Sequence, residues 1–599
     1  MISPPPRVPW QVTGNHWLTL PCIHPADASI HVAGVVHAQS RAAIEFAGAA
    51  DFLDGQAAPL ARVLLSINGE RRRLGSEGIA WERELGWLPN FSCRIGPLMV
   101  RGTICAPHGR NADVSGAVIL LGIENRGADS VQLAVGMDGT LGHRQVRVRT
   151  SRKFSDGHST SKGSGSSIVF EGTSAESPVA MAIGGEGEFE SVVNESDSPS
   201  WSLTRLVTLE PGTTHEAAFH LAAGSERDGA GAMLGVMRRR GARALIDATR
   251  AALRQMEPST GNQAADRLIA RHVFFSYFCS VARALDDAHV YVVRSRMPWN
   301  GHGVTIRDWE ALMWVLPAVQ LVDQAMGREV LLRVCELHGY APGGGVHYLD
   351  GSVFEPGFSL EGAAAFPIAV DAYIVQSGDD KVVEDPVLAD SLYGAHEDIE
   401  AVRHRQLPLY STEVNPDGTV PEFAYTTHGN TVVALALDIL RHTLDEKTAE
   451  KVQDSAAVRA AALRQFSSEG TSGKSVLASG GDLAGNLSQR DDASASMYWL
   501  PYFDLIGRDD STYRRTVKKL EVESPGELIV RCARLVGPNG SDALEWLRRA
   551  PLDGGLAAEL VDEDGKVVGN GGDAALSGLI GYTAWYAVHA LGAKVQQAL

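Results

Sequence analysis

Near Gly224 the spacing of the apolar residues changes from every second position to every third and fourth, which divides the chain into two kinds of fold. Upstream, over residues 17–223, short alternating runs such as S-I-H-V-A-G-V-V-H, A-R-V-L-L-S-I-N-G and A-V-I-L-L-G-I-E-N-R-G recur between turn residues. A period of two sends successive side chains to opposite faces of a strand, and N-G or N-R-G between runs supplies the turn. This region therefore reads as an antiparallel β-sandwich. The Ser/Gly-rich stretch 150–167 has no such period and is expected to be a loop; its glycines lack the spacing of a phosphate-binding loop.

Downstream the pattern is helical. A-M-L-G-V-M-R-R-R and A-R-A-L-I-D-A-T-R-A-A-L-R-Q-M form a helical linker, with Arg238, Arg239 and Arg240 as a solvated face. Further helices are expected over residues 264–285, 309–325, 329–337, 363–375, 431–444, 448–466, 495–506 and 578–591. The loops between them, such as 341–361 and 407–430, are long and rich in Gly, Pro, Asp, Glu and aromatic residues. A simple bundle uses short connections, so a helical toroid with a loop-lined funnel fits better. With 599 residues the chain exceeds one ordinary domain. The divisions fall at 1–225 for the sandwich, 226–261 for the linker and 262–599 for the toroid.

Composition narrows the partners. A net charge of −18 argues against a nucleic-acid groove, which needs basic surface, and suits a neutral ligand. No apolar run is long enough to cross a membrane, and the prolines of M-I-S-P-P-P-R-V-P-W interrupt any signal-peptide core, so a cytoplasmic protein is expected. The cysteines are scattered without a C-x-x-C pair and read as buried thiols. Oligomeric state stays open, a homodimer included.

The stretch richest in chemistry is 296–316, R-M-P-W-N-G-H-G-V-T-I-R-D-W-E-A-L-M-W-V-L. Its first half is a loop by its Pro and Gly content, and its second half is apolar at helical spacing. Arg307, Asp308 and Trp309 thus arrive at the start of a buried helix. A guanidinium, a carboxylate and the indoles of Trp299 and Trp309 suit a sugar, whose hydroxyls take charged partners and whose faces lie on rings. The plainer reading of Asp308 is an acidic residue favouring a helix N-terminus.

Four stretches of the second half resemble, in order, motifs of the (α/α)6-barrel glycosidases of the glucoamylase and glycogen-debranching amylo-α-1,6-glucosidase group. T-I-R-D-W-E-A-L-M-W (305–314) is similar to W-x-R-D-x-A-L, whose Arg and Asp hold the terminal sugar; the resemblance gives that role to Arg307 and Asp308. S-L-E-G-A-A-A-F-P-I-A-V-D-A-Y-I-V-Q-S-G-D (359–379) resembles a segment whose acidic third residue is the general acid, here Glu361. Some glucoamylases carry the acid further ahead of the same helix, which makes Glu355 the rival. Y-T-T-H-G-N-T-V-V-A-L-A (425–436) resembles E-x-N-A-L-W-Y-N-A-L, with His428 in place of the Glu. D-A-S-A-S-M-Y-W-L-P-Y-F-D-L (492–505) and G-G-L-A-A-E-L-V-D-E-D-G-K-V-V-G-N-G-G-D (554–573) complete the set, and the latter puts the general base on Glu559.

The resemblance implies a supersandwich-type β-sandwich ahead of an (α/α)6 toroid. It also implies an exo-acting glycoside hydrolase that removes a terminal α-linked sugar, glucose first, with inversion; the loop histidines His302, His347 and His428 lack the spacing of a metal site, so no metal or cofactor is expected. Glycosidic cleavage needs one carboxylic acid for the leaving oxygen and one carboxylate to activate water. The plainer readings are a first-turn helix carboxylate for Glu361 and a charged connecting residue for Glu559, with Asp562, Glu563, Asp564 and Gly565 forming the adjacent polar turn. His302, Tyr348, Tyr425 and His428 are expected to line the funnel with Trp299 and Trp309. A phosphorylase, a lyase, a non-catalytic carbohydrate-binding protein, or a glycosidase for rhamnose, arabinose or mannose are the alternatives.

Overall fold

The upstream period of two is realised as three antiparallel sheets of five, eight and five strands. The computed structural model describes residues 8–146, 158–163, 166–173, 178–195, 199–469, 473–520 and 526–593. In the eight-stranded sheet Gly116–Asn125 pairs with Leu98–Cys105 on one side and Thr214–Gly224 on the other. Ile119 and Leu121 from this strand join Leu20, Phe46, Val135 and Leu203 from the other two sheets in a single sandwich core. Its opposite face, with Val118, Ala180, Ala182 and Ala218, is also apolar, because helices cover it. Of the polar stretch 150–167, His158–Gly163 is an edge strand paired with Ser167–Thr173, where expectation had a loop; residues 150–157, 164 and 165 lie outside the described ones.

The helices are α1 (Arg227–Arg240), α2 (Ala242–Met256), α3 (Gln263–Cys279), α4 (Leu316–Val322), α5 (Gln324–His338), α6 (Leu360–Ser377), α7 (Pro386–Ala401), α8 (Thr427–Thr443), α9 (Glu446–Ala449), α10 (Ser455–Gln465), α11 (Ser511–Leu520), α12 (Leu528–Val536), α13 (Gly540–Arg549) and α14 (Ala574–His589). α1 and α2 pack on the outer face of the eight-stranded sheet. The rest closes a ring: α4 with its π-helical lead-in Glu310–Val315, then α6, α8, the 3-10 turn Met497–Trp499, α12 and α14, which returns to the π-turn. Each inner element carries an outer partner, in turn α5, α7, α10, α11, α13 and α3. The fold is a β-sandwich followed by an (α/α)6 toroid.

Three expected helices differ for local reasons. The helix expected over 309–325 opens as a π-turn, with the Leu316 N–H donating to Ala311 O, because Pro317 has no N–H and its ring displaces the preceding carbonyls. The one expected over 495–506 shrinks to Met497–Trp499, since Pro501 lacks a donor and Asp504 is left-handed with φ 59°. The one expected over 448–466 is divided by Asp454, whose side chain caps α10. All six cysteines are buried and free.

Candidate active site

The stretch G-L-A-A-E-L-V-D-E-D-G-K folds back on itself. Asp562 N–H donates to Lys566 O, and Gly565 N–H to Asp562 O, which makes the polar turn. Glu559 stands on the strand-like arm before it, its N–H on Asn570 O and its carbonyl taking the Leu528 N–H of α12. Asn570 Nδ2 donates to Glu559 Oε2 (2.9 Å), His302 Nε2 bonds Oε1, and Arg294 Nη2 donates to Oε1 (3.2 Å). Burial alone would raise this carboxyl, but the His302 bond and the Arg294 charge outweigh it, so Glu559 lies well below the usual carboxylate range. About a quarter of its side chain remains exposed (26%), so an ionised oxygen is reachable.

Arg294 follows the strand Val290–Val292 and is buried. It donates from Nε (2.8 Å) and Nη2 (2.6 Å) to Asp573 Oδ2 and from Nη1 to Glu310. Asp573 accepts the Leu576 N–H at the start of α14 through its other oxygen, so one side chain caps the helix and fixes the arginine. Glu310 in turn accepts the Arg307 N–H (3.1 Å). Arg307 and Glu559 thus belong to one continuous network through Glu310 and Arg294.

Arg307 sits on Ile306–Arg307, in one row of a three-stranded sheet with Val346 and Glu355. Glu355 is exposed, and its Oε2 is 3.9 Å from Arg307 Nη2. Residues of one row share a sheet face, which is why the two meet. The same guanidinium rests on the backbone of Gly418, where φ is +88° and a Cβ would overlap it. Gly418 lies between Asp417 and Thr419, two residues lining a cleft of about 700 Å³. Asp491, Asp492, Glu527 and Leu560, the neighbour of Glu559, complete that lining. Burial raises Asp491 to about 6, with Asp492 adding to it. Burial and the charges of Asp492, Asp417 and Glu559 also raise Glu527.

Arg307 therefore packs on Gly418 between two residues of the cleft wall and Glu559 precedes the lining residue Leu560, while Glu355 and His302 are linked to them through Arg307 and Glu559. The structure places others deeper. Glu361 is fully buried in the first turn of α6, with Oε1 3.0 Å from His428 Nδ1, and His428 is buried against Trp309 and Phe503. Asp308 is buried with both oxygens engaged: Oδ2 accepts the Gly343 N–H (2.7 Å) and Oδ1 stands 2.8 Å from His338 Nδ1 and 3.3 Å from His347 Nε2. Burial would raise its pKa, yet the two histidines hold it below the ordinary range. Trp299 is buried, its N–H on Asp553 Oδ2 (2.8 Å). Tyr348 packs beside Phe354 next to Glu355, and Tyr425 is half-buried against His404. Arg294, Glu310, Asn570, Asp573 and Glu527 carry no distinctive spacing and went unmarked, although Asn570 and Asp573 stand in the G-N-G-G-D that ends the base motif.

No family model and no curated protein matches this sequence. Among solved structures, a bacterial glucoamylase complexed with acarbose superposes over 99% of this chain and 97% of its own, with a TM-score of 0.58 and 10% identity. A putative kojibiose phosphorylase from human microbiome matches over 77% of this chain and 68% of its own, with a TM-score of 0.50 and 10% identity. At such identity the likeness is one of fold, and the fold is that of the glucoamylase-like (α/α)6 enzymes with their N-terminal β-sandwich.

Proposed function

We propose that this protein is an exo-acting glycoside hydrolase that removes a terminal α-linked sugar, glucose first, by a two-carboxylate mechanism. The observation that carries the reading is Glu559, a reachable carboxylate held ionised by Arg294, His302 and Asn570 beside a polar cleft. An ionised, oriented carboxylate is what a base needs to take a proton from attacking water. Of Glu355 and Glu361, Glu355 is the one a substrate can reach, open to solvent next to Arg307, whereas Glu361 is sealed against His428. Arg307 is the member of the R-D pair left to bind sugar hydroxyls, with Asp308 fixing the loop behind it. Buried Trp309, His428 and Phe503 pack together within the ring. Both the glucoamylase and the phosphorylase likeness agree with a reaction at an α-linked sugar.

The cleft supports hydrolysis over phosphorolysis: Asp417, Glu422, Asp491, Asp492 and Glu527 outnumber Arg490 in its lining and Arg307 beside it, a poor field for phosphate. Buried His428 is likewise a poor lyase base. The test is Glu559→Gln with an α-glucoside panel, phosphate present and absent. The substitution is expected to leave folding intact and lower kcat by about 10²–10⁴-fold, with wild-type release of the β-anomer seen by proton NMR. Unchanged turnover in Glu559→Gln overturns the base; a sugar phosphate as product overturns hydrolysis.

A further inference from the structure

Behind Arg307 the chain gathers two imidazoles and a carboxylate from three separate elements. Asp308 opens the π-turn, His338 ends α5, and His347 lies on the strand Gly345–His347. All three are buried, and their ligand atoms lie within 4.8 Å of one another. The rings of His338 and His347 are stacked at 4.0 Å with a nitrogen of each near Asp308 Oδ1, so one ring has to turn for both in-plane lone pairs to meet at a common ion.

The proton positions follow from the partners. His347 Nδ1 is 3.0 Å from the Gly351 carbonyl, which only accepts, so Nδ1 carries a hydrogen. In the neutral ring that leaves a lone pair on Nε2. Nε2 is 3.3 Å from Asp308 Oδ1 but off the line a hydrogen bond requires, and it has no hydrogen-bond partner despite complete burial. A buried Nε2 facing a carboxylate needs positive charge between them, from a second proton on the ring or from a metal ion. Asp308 is prepared in the same way: its second oxygen is held by Gly343 N–H, leaving Oδ1 for the shared point. Outer partners of this kind, a carbonyl on the far imidazole nitrogen and a donor on the far carboxylate oxygen, orient ligands around a metal.

We propose that Asp308, His338 and His347 form a binding site for a divalent transition ion, zinc above all. Two imidazoles and one carboxylate suit zinc, and bonds of about 2.0–2.2 Å in a tetrahedron separate ligand atoms by about 3.3 Å. The Asp308–His347 separation already has that value, and the 2.8 Å between Asp308 and His338 has to open by about half an ångström. Binding through His338 Nδ1 requires the tautomer with its proton on Nε2, so the ligand stays neutral, and a water takes the fourth position. The ion would tie the π-turn, α5 and the hairpin that carries Glu355 to one point, independently of whether the cleft hydrolyses a glycoside.

The full-length protein, purified without chelator, is expected to hold about one zinc per chain by plasma mass spectrometry. Stripped protein should bind zinc in calorimetry and gain visible absorption of nitrogen-ligated cobalt when Co²⁺ is added. His347→Ala and His338→Ala should each weaken zinc binding by more than about 100-fold. Absence of metal together with no heat from excess Zn²⁺ or Co²⁺ overturns the site, as does undiminished binding in both variants. Should the variants not fold, the wild-type stoichiometry and cobalt spectrum decide alone.

Discussion

Around Arg294 one cation answers three carboxylates, Glu310, Glu559 and Asp573, two of them fully withdrawn from water. Glu559 has a further partner in His302, whose bond adds to the Arg294 charge in lowering it. The sign of that contribution is open to measurement. The native pKa of Glu559 is depressed, so this carboxylate stays ionised as pH falls and is protonated only when pH drops through that low value. Removing the bond in His302→Ala raises this pKa, and the acid limb of the kcat/KM profile should move to higher pH while the alkaline limb stays. An acid limb that does not move would show that His302 does not tune the base. Arg294→Lys belongs to a different class, because the fork that reaches Asp573 and Glu559 at once is lost along with the geometry.

Among the elements, the short turn Met497–Trp499 depends on its carboxylate. Asp491 accepts the Met497 N–H (3.0 Å) and the Ser496 hydroxyl (2.8 Å), yet burial raises it from 3.8 to about 6. A carboxyl raised in the native state favours folding below the unfolded value, and that contribution is lost as pH rises through about 6. Two pKa units correspond to about 3 kcal/mol. Asp491→Asn cannot ionise, so its Tm relative to wild type should climb between pH 4 and pH 7; a difference constant with pH refutes the assignment. The same turn shows what the sequence could and could not give. Its apolar spacing is helical, but Pro501 and left-handed Asp504 cut the helix short, and only tertiary packing on α11 and α12 preserves its place in the ring. By contrast α6, α8 and α14 were legible, because inner helices are apolar all round and sit between capping residues Ser359, Thr426 and Asp573. At the site, Glu559 stood out through its motif and Glu355 through its alternative placement. The burial of Asp308 and Glu361 was not legible, since their partners His338, His347 and His428 lie 30 to 67 residues away in the chain.

Across the whole molecule, the sandwich contributes to the site through its attachment. Arg296, two residues beyond Arg294, donates from Nη1 to the carbonyls of Asn15, His16 and Phe278 and from Nη2 to those of Trp17 and Gly34. Burial lowers its pKa to about 10, still high enough to keep it charged at neutral pH. Its partners are neutral carbonyls, four from the sandwich and one from α3, so it acts as a staple between the two layers at the base of the 294–303 loop. Asp286 adds a second tie by accepting the Ala38 and Gln39 N–H groups. Arg296→Met keeps much of the volume and removes every donor, which strands buried carbonyls at a cost of about 3–5 kcal/mol. The expected result in calorimetry is a lower Tm and a transition that separates into two, sandwich and toroid, with kcat falling as the Arg294 loop loosens. A single transition at the wild-type temperature would mean that the apolar contact between the eight-stranded sheet, α1 and α2 suffices to hold the layers, and that the loop owes its position to Asp573 and Glu310 alone.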